Sequence, residues 1–123
     1  MNEPIVVVGA CGTGKSTLVQ ALKARGYAAR IVAQEHSAIR ELWAHGGWPA
    51  ALIMLDASPD VISQRRHNDF PTWLYDQQCQ RLRSAHAHAT LYLHTDHLAA
   101  NQVEEQVMQH VRQLRIIPEA KHA

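Results

Sequence analysis

The sequence contains little cysteine and no excess of charge of either sign. Its two cysteines, Cys11 and Cys79, are too few and too far apart to predict a disulfide framework or a zinc-binding cysteine motif. The 12 basic and 11 acidic side chains leave a net charge of +1, which argues against nucleic acid or a membrane surface as the partner. The apolar run at residues 4–10 is far shorter than the roughly 18 residues of a membrane span, and no basic leader precedes it. We therefore expect a cytoplasmic protein that binds neither nucleic acid nor membrane.

The composition is otherwise that of an ordinary globular protein. Hydrophobic residues make up 46% and charged residues 19% of the 123 positions, which excludes a chain that stays disordered for lack of a core. A chain of this length has the size of one domain. We expect residues 1–117 to form that domain and residues 118–123 to be a flexible tail.

Short apolar strands alternate with helical patterns along the chain. Residues 5–8, 27–33, 50–55 and 90–95 are predicted as strands, the first buried on both faces and the last, which is more polar, near a sheet edge. Helices are predicted over 15–25, 37–45, 59–66 and 72–88, and from Asp96 to Leu114. This alternation predicts an α/β fold with a parallel sheet, in which ligands bind at the carboxyl ends of the strands.

The first strand is followed by a glycine-rich segment. Residues 9–16 read Gly-Ala-Cys-Gly-Thr-Gly-Lys-Ser and match the phosphate-binding pattern G-x-x-x-x-G-K-[ST]. Glycines allow a tight turn whose backbone N–H groups point into one concavity, and the helix that follows adds its positive dipole end. Lys15 would lie between the β and γ phosphates, and the Ser16 hydroxyl would bind Mg²⁺. The predicted nucleotide-binding residues are Gly9, Ala10, Cys11, Gly12, Thr13, Gly14, Lys15, Ser16 and Thr17; the alternative is a glycine-rich turn that binds nothing.

With this loop the chain resembles the P-loop kinases of nucleotides and small molecules, among them the nucleoside, nucleotide, shikimate, gluconate and dephospho-coenzyme A kinases. Residues 51–66 look like the strand and helix that lead into the family's lid, 78–85 like the helix after it, and 91–96 like its last core strand. The resemblance implies a three-layer sandwich with about four parallel strands, which binds ATP and Mg²⁺ and transfers the γ-phosphoryl group to a small metabolite or nucleotide. Since no Asn/Thr-Lys-x-Asp element for guanine is present, ATP is the expected donor.

One segment departs from the pattern of that family. These kinases normally carry a substrate-binding region after the first helix, whereas residues 26–49 leave room for one short strand and one helix. The shortening favours two alternatives to a kinase. One is a non-catalytic nucleotide-binding module, such as a homodimer that assembles in response to ATP, and the other is a degenerate P-loop ATPase.

Four further side chains are candidates for the chemistry of transfer. Glu35, just after the second strand, is a candidate base for an acceptor hydroxyl, or else a surface carboxylate near a helix start. Asp56 ends the third strand, where an acid can hold the waters of Mg²⁺, although aspartate is also a common turn residue. Arg65 and Arg66 adjoin the expected lid and are candidates to neutralise phosphate charge, or are only solvated at a helix end.

Several other polar residues carry weaker signals. Arg81 and Arg83 fit an exposed helix face as well as a phosphate site. Cys11 lies among backbone donors that can lower the pKa of a thiol, but the favoured interpretation is a tolerated loop residue. The histidine pairs at 86/88 and 94/97 have no cysteine or carboxylate cluster to complete a metal site, which favours solvated side chains.

Overall fold

A computed structural model describes residues 4–119 of the chain, and within that range it contains one four-stranded sheet. The strands are β1 (Ile5–Gly9), β2 (Ala29–Ile31), β3 (Ala51–Asp56) and β4 (Leu91–His94), in the order β2-β1-β3-β4. All three pairings are parallel. The two central strands, β1 and β3, are buried along their whole length, as expected for apolar strands covered on both faces. This confirms the predicted α/β class and the parallel sheet of about four strands.

Helical segments cover both faces of the sheet. The helices are α1 (Lys15–Ala24), α2 (Pro59–Arg66), α3 (Thr72–Arg81), α4 (Arg83–His88) and α5 (Ala100–Gln113), with single 3₁₀ turns at Gln34–His36 and Leu42–Ala44. Because side chains alternate along a strand, β1 and β3 contribute to two separate cores. One core contains residues of α1 and α5, and the other contains residues of α2, α3, α4 and the second 3₁₀ turn.

The order of the strands fixes where a ligand cleft can open. From β1 the chain passes through α1, on one face, to β2, and from β3 it passes through α2–α4, on the other face, to β4. The connections therefore leave β1 and β3 in opposite directions, which makes the carboxyl ends of these two neighbours the switch point of the sheet. The loop 9–16 begins at the carboxyl end of β1, and Asp56 is the last residue of β3.

The prediction of a helix over residues 37–45 is wrong. Only the 3₁₀ turn Leu42–Ala44 forms there, because side chains satisfy the backbone groups that a helix would have used. The buried Gln34 donates to Ile39 O at 2.7 Å and accepts from Trp43 N at 3.0 Å, and Ser37 Oγ accepts from Ile39 N. Local side-chain bonds of this kind compete with helix formation. Ile39, expected on an inner face, is half exposed.

Two further boundaries differ from prediction. The helix predicted over 72–88 is interrupted at Leu82, so that α3 and α4 are separate. The last helix begins at Ala100 instead of Asp96, because Asp96 Oδ1 accepts a hydrogen bond from Ser58 N at 2.8 Å and so joins the loop after β4 to the start of α2. Burial acts to raise the pKa of Asp96, but its bonds with Ser58 and the nearby histidines hold it below its ordinary value. Ser58 itself caps α2 as predicted.

The ends of the described chain bear on two other expectations. In the expected tail, Glu119 N donates to Gly26 O at 2.8 Å, while residues 120–123 lie outside the described residues. Among residues 4–119, none of the helices has the length and the apolar character that crossing a membrane requires. Cys11 and Cys79 are both free thiols, in agreement with the predicted absence of a disulfide.

Candidate functional site

The loop between β1 and α1 has a backbone that only glycine can form at its first position. Gly9 has a φ of 155°, and a Cβ atom placed on it would lie 2.2 Å from Leu55 O of the neighbouring strand. Gly12 and Gly14 also have positive φ angles, of 73° and 98°. Thr13 closes the turn from within, since its hydroxyl donates to Ala10 O at 2.8 Å. The glycines of the motif thus serve this strand-loop-helix geometry directly.

A row of backbone donors along this loop has no partner. Cys11 N donates to Gln78 Oε1 at 3.1 Å, but across residues 4–119 no hydrogen bond uses a backbone N–H of residues 12–17. The first N–H groups of a helix always lack intrahelical acceptors, and here the preceding loop adds two more donors to them. A Cβ atom on Gly14 would meet nothing within 4 Å, so the space beside this part of the loop is open. Such a concave row of N–H groups attracts an anion.

The ammonium group of Lys15 is held at the mouth of the loop by three acceptors. Lys15 Nζ lies 2.7 Å from Gly9 O, 3.0 Å from Ala10 O and 2.8 Å from Glu35 Oε2. Its side chain is 11% exposed. All three N–H bonds of the ammonium therefore donate to protein oxygens. To bind Lys15, an anion would have to replace one of these oxygens, whereas at an exposed lysine it would replace water.

Glu35 is buried, which argues against the interpretation of this residue as a surface carboxylate. Its side chain is only 5% exposed, and its Oε1 is a buried oxygen with no hydrogen-bond partner in the described part of the chain. The 3₁₀ turn after β2 brings it to Lys15, because β2 lies next to β1 in the sheet. Glu35 is therefore buried against Lys15 and is not a surface carboxylate, while its role as a base for an acceptor hydroxyl stays a prediction.

The structure brings Arg65 and Arg66 to the loop in different ways. The Arg65 guanidinium donates to Thr95 Oγ1 and Thr95 O, at 3.0 and 2.6 Å, and reaches Gly12 O at 3.4 Å. Arg66 is exposed and approaches Gly12 through its aliphatic stem, since its Cγ lies 3.2 Å from the position of a Cβ on that glycine. Within residues 4–119 its guanidinium forms no hydrogen bond or ion pair. Both arginines border the loop, and only Arg65 is fixed there by polar contacts.

Asp56, the predicted partner of the metal, is engaged by other groups. Its Oδ1 accepts from Ala57 N at 2.8 Å and from Tyr75 Oη at 2.9 Å, and its Oδ2 accepts from Tyr92 Oη. Burial raises the pKa of Tyr92, and the Asp56 carboxylate raises it further. Among the described residues no hydrogen bond joins Asp56 to Ser16, whose hydroxyl is exposed and unbonded. Of about four lone-pair sites on the carboxylate, one is left for another donor or a metal-bound water.

The structure contains two large clefts, of which the first is lined by residues of the loop. A cavity of about 600 Å³ extends from Gly12 and Gly14 along α1 to the start of α5, with Arg65, Leu98 and Val103 in its wall. A second cleft of about 640 Å³ lies between the 37–41 loop and helices α3 and α4. Three arginines line this second cleft: Arg40, Arg81 and Arg83.

One residue of the second cleft contacts the turn that carries Glu35, since Arg81 Nη1 lies 3.4 Å from Glu35 O. Sequence reasoning missed Arg40 and gave Arg81 and Arg83 only a weak signal. These residues come from segments about 40 positions apart, and no local spacing indicates that they share a cleft. Gln78, Tyr75 and Tyr92 were missed for the same reason.

No family model matches the chain, and a search of curated proteins finds no matching relative.

Proposed function

We propose that this protein is a phosphotransferase that binds Mg²⁺-ATP at residues 9–17 and transfers the γ-phosphoryl group to a small anionic metabolite or nucleotide. One observation carries the proposal: six consecutive backbone N–H groups, for which residues 4–119 provide no acceptor, lie in the loop that holds the Lys15 ammonium, at the switch point of a parallel sheet. Phosphoryl transfer depends mainly on positioning and on electrostatic stabilisation, so few side chains are needed.

The residues of the loop fit a triphosphate. The N–H row would hold its oxygens, and Lys15 would move from Gly9 O and Ala10 O to the β and γ phosphates. The exposed Ser16 hydroxyl would be the protein ligand of Mg²⁺, and Asp56 would hold metal-bound water through its one remaining lone-pair site. When bound, Mg²⁺ neutralises part of the charge of the phosphates. Arg65 is held by Thr95, reaches Gly12 O at 3.4 Å and would add a second cation at the loop.

The cavity beside α1 supports a place for the nucleoside. Its volume of about 600 Å³ lies in the usual range for small-ligand sites. Leu18, Leu98 and Val103 give it an apolar wall, while Asn101 and Thr95 supply polar groups along its rim. A base needs this combination, because its faces are apolar and its edges form hydrogen bonds.

The arginine-lined cleft supports the choice of an anionic acceptor. Arg40, Arg81 and Arg83 can pair with a phosphate or carboxylate, and Arg81 also contacts the backbone of Glu35. Glu35 would lie between the acceptor and Lys15, where its carboxylate can accept the proton of an acceptor hydroxyl.

The observation that favours the non-catalytic module is the shortness of residues 32–50, which form only two single turns and leave this cleft open.

Binding is tested by calorimetry with Mg²⁺-ATP. We expect saturable binding by the unmodified chain, weakened about 10- to 100-fold in Lys15→Ala through loss of a charge-assisted hydrogen bond, and unchanged in Lys23→Ala. Lys23 is the matched control because it lies on the same helix, exposed in its last turn. The double variant Lys15→Met/Glu35→Gln leaves no buried charge unpaired and replaces the single variant if that one fails to fold. Absence of heat at millimolar ATP rejects the proposal.

Transfer is tested by single-turnover assay with γ-labelled ATP and a panel of phosphorylated and carboxylated acceptors. Label should move to at least one acceptor, and Arg81→Gln should raise the acceptor KM more than it lowers kcat. ATP binding without transfer to any acceptor would instead support the non-catalytic module. Sedimentation with and without Mg²⁺-ATP then tests whether the nucleotide drives dimer formation.

A further inference from the structure

Three metal-ligating side chains meet at the edge of the loop, on the side away from the nucleoside cavity. Cys11 Sγ lies 3.5 Å from His36 Nε2, and His36 Nε2 lies 3.6 Å from Glu35 Oε2. One ligand atom from each residue falls within 4.8 Å of the other two. Cys11 comes from the loop after β1, whereas Glu35 and His36 come from the 3₁₀ turn after β2, so adjacent strands hold the cluster together.

The spacing of these atoms is close to that of ligands around tetrahedral zinc. Bond lengths of about 2.3 Å to sulfur and about 2.0–2.1 Å to nitrogen and oxygen, at tetrahedral angles, place sulfur about 3.6 Å from nitrogen and nitrogen about 3.3 Å from oxygen. The corresponding distances here are 3.5 and 3.6 Å. The third distance, between Cys11 Sγ and the Glu35 oxygen, is within 4.8 Å and would have to become about 3.6 Å when an ion binds.

A second observation also points to a missing ligand. Glu35 is nearly fully buried, yet its Oε1 has no partner among residues 4–119. A buried acceptor without a partner costs about 1–3 kcal/mol, and a cation bound by both carboxylate oxygens of Glu35 would remove that penalty. Because each carboxylate oxygen has about two lone pairs, Glu35 can bind an ion and still keep its ion pair with Lys15.

The surroundings of Cys11 are those of an oriented ligand. The side-chain amide of Gln78, a residue only 1% exposed, forms two hydrogen bonds with Cys11. Its Nε2 donates to Cys11 Sγ at 3.2 Å, and its Oε1 accepts from Cys11 N at 3.1 Å. A donor to the sulfur stabilises a thiolate and fixes its direction, as outer-shell groups do around metal sites. His36 is 57% exposed, which leaves an approach and an open coordination position on the solvent side.

We propose that Cys11, Glu35 and His36 form a binding site for Zn²⁺ or a similar transition-metal ion. A thiolate, an imidazole and a carboxylate suit zinc, whereas Mg²⁺ and Ca²⁺ prefer oxygen ligands only. With three protein ligands the fourth position belongs to water or an exogenous ligand. Binding would displace the thiol proton and leave the site electrically neutral, apart from the adjacent Lys15 ammonium.

The test uses the full chain with Zn²⁺ or Co²⁺ alone, without nucleotide, so that its result is separate from that of the ATP experiments. We expect one Zn²⁺ bound per chain in competition with a chromophoric chelator, and a thiolate-to-metal absorption band with Co²⁺. His36→Gln should weaken binding at least tenfold and Cys11→Ser should abolish the band. The matched controls His94→Gln and Cys79→Ser, at another exposed histidine and the other free thiol, should change neither.

Zinc binding that is equal in His36→Gln and in the unmodified chain would overturn the proposal, and so would a Co²⁺ spectrum without the thiolate band. His36 lies on the surface, so its variant should fold even if Cys11→Ser does not. Equal weakening by His94→Gln and His36→Gln would mean that surface histidines bind the metal, which also rejects the site.

Discussion

The ion pair between Lys15 and Glu35 should be strongly coupled in the folded protein. The two side chains are 11% and 5% exposed, and their charged atoms lie 2.8 Å apart. Removing one partner of such a pair leaves the other charge buried alone, which typically costs about 3–5 kcal/mol. Lys15→Met should therefore lower the free energy of unfolding by about 3 kcal/mol. Glu35→Gln should cost less, about 1–2 kcal/mol, because the ammonium keeps its two carbonyl acceptors, Gly9 O and Ala10 O.

The double variant isolates the interaction from the other effects of each substitution. Lys15→Met/Glu35→Gln contains neither charge, so its loss of stability should be about 2 kcal/mol smaller than the sum of the two single losses. Urea denaturation of the four proteins at neutral pH, followed by circular dichroism, measures each free energy. A constant slope with denaturant concentration shows that the compactness of the unfolded state has not changed.

Additive losses would refute this reasoning. If the double variant loses the sum of the single losses to within about 0.5 kcal/mol, the two residues do not interact in solution. A stability gain in Lys15→Met would contradict it as well, since an unpaired Glu35 would then be tolerated.

Two further predictions concern the loop and a partly buried histidine. Gly9→Ala should lower the free energy of unfolding by about 3 kcal/mol or more, because its Cβ would lie 2.2 Å from Leu55 O. Gly14→Ala should cost only about 1–2 kcal/mol of backbone strain, because Gly14 lies in open space at a φ of 98°. Equal losses of the two variants in urea denaturation would contradict this prediction. Burial lowers the pKa of His110 below its ordinary 6.5, so its contribution to stability is complete above that pH and is lost as pH falls toward its folded pKa. Stability measured at pH 7.5 and pH 5 should therefore fall less in His110→Gln than in the unmodified chain, and equal falls would show that His110 does not contribute.

The parts of the fold that could be predicted from the sequence are those determined by neighbouring residues. Continuous β-branched and apolar residues identify β1 and β3, because a strand buried on both faces needs no polar alternation. Ser58 and Pro59 fix the start of α2 through a hydroxyl cap and a preset backbone angle, and the structure has that helix over Pro59–Arg66 as predicted. The shape of the loop 9–16 is also local, since its glycines have positive φ angles and Thr13 bonds to Ala10 O within the same turn.

The parts that could not be predicted depend on contacts between distant segments. The helix expected over 37–45 does not form because the buried amide of Gln34 bonds to Ile39 and Trp43, and nothing in the spacing of apolar residues reveals that competition. Gln78 reaches Cys11 across 67 positions of sequence, and the second cleft forms only when α3 and α4 pack beside the 37–41 loop. Single polar residues of this kind carry no periodic signal.

The position of Glu35 explains why one short strand matters for the chemistry proposed here. β2 has only three residues, but its parallel pairing with β1 places the turn Gln34–His36 beside the loop at the same end of the sheet. Glu35 is thereby buried against Lys15, and His36 is set beside Cys11. A one-residue slip of β2 would reverse the direction of every side chain that follows in register and would separate both pairs. The register that pairs Ile5 with Ala29 therefore determines whether the turn can place Glu35 beside Lys15 and His36 beside Cys11 at the same time.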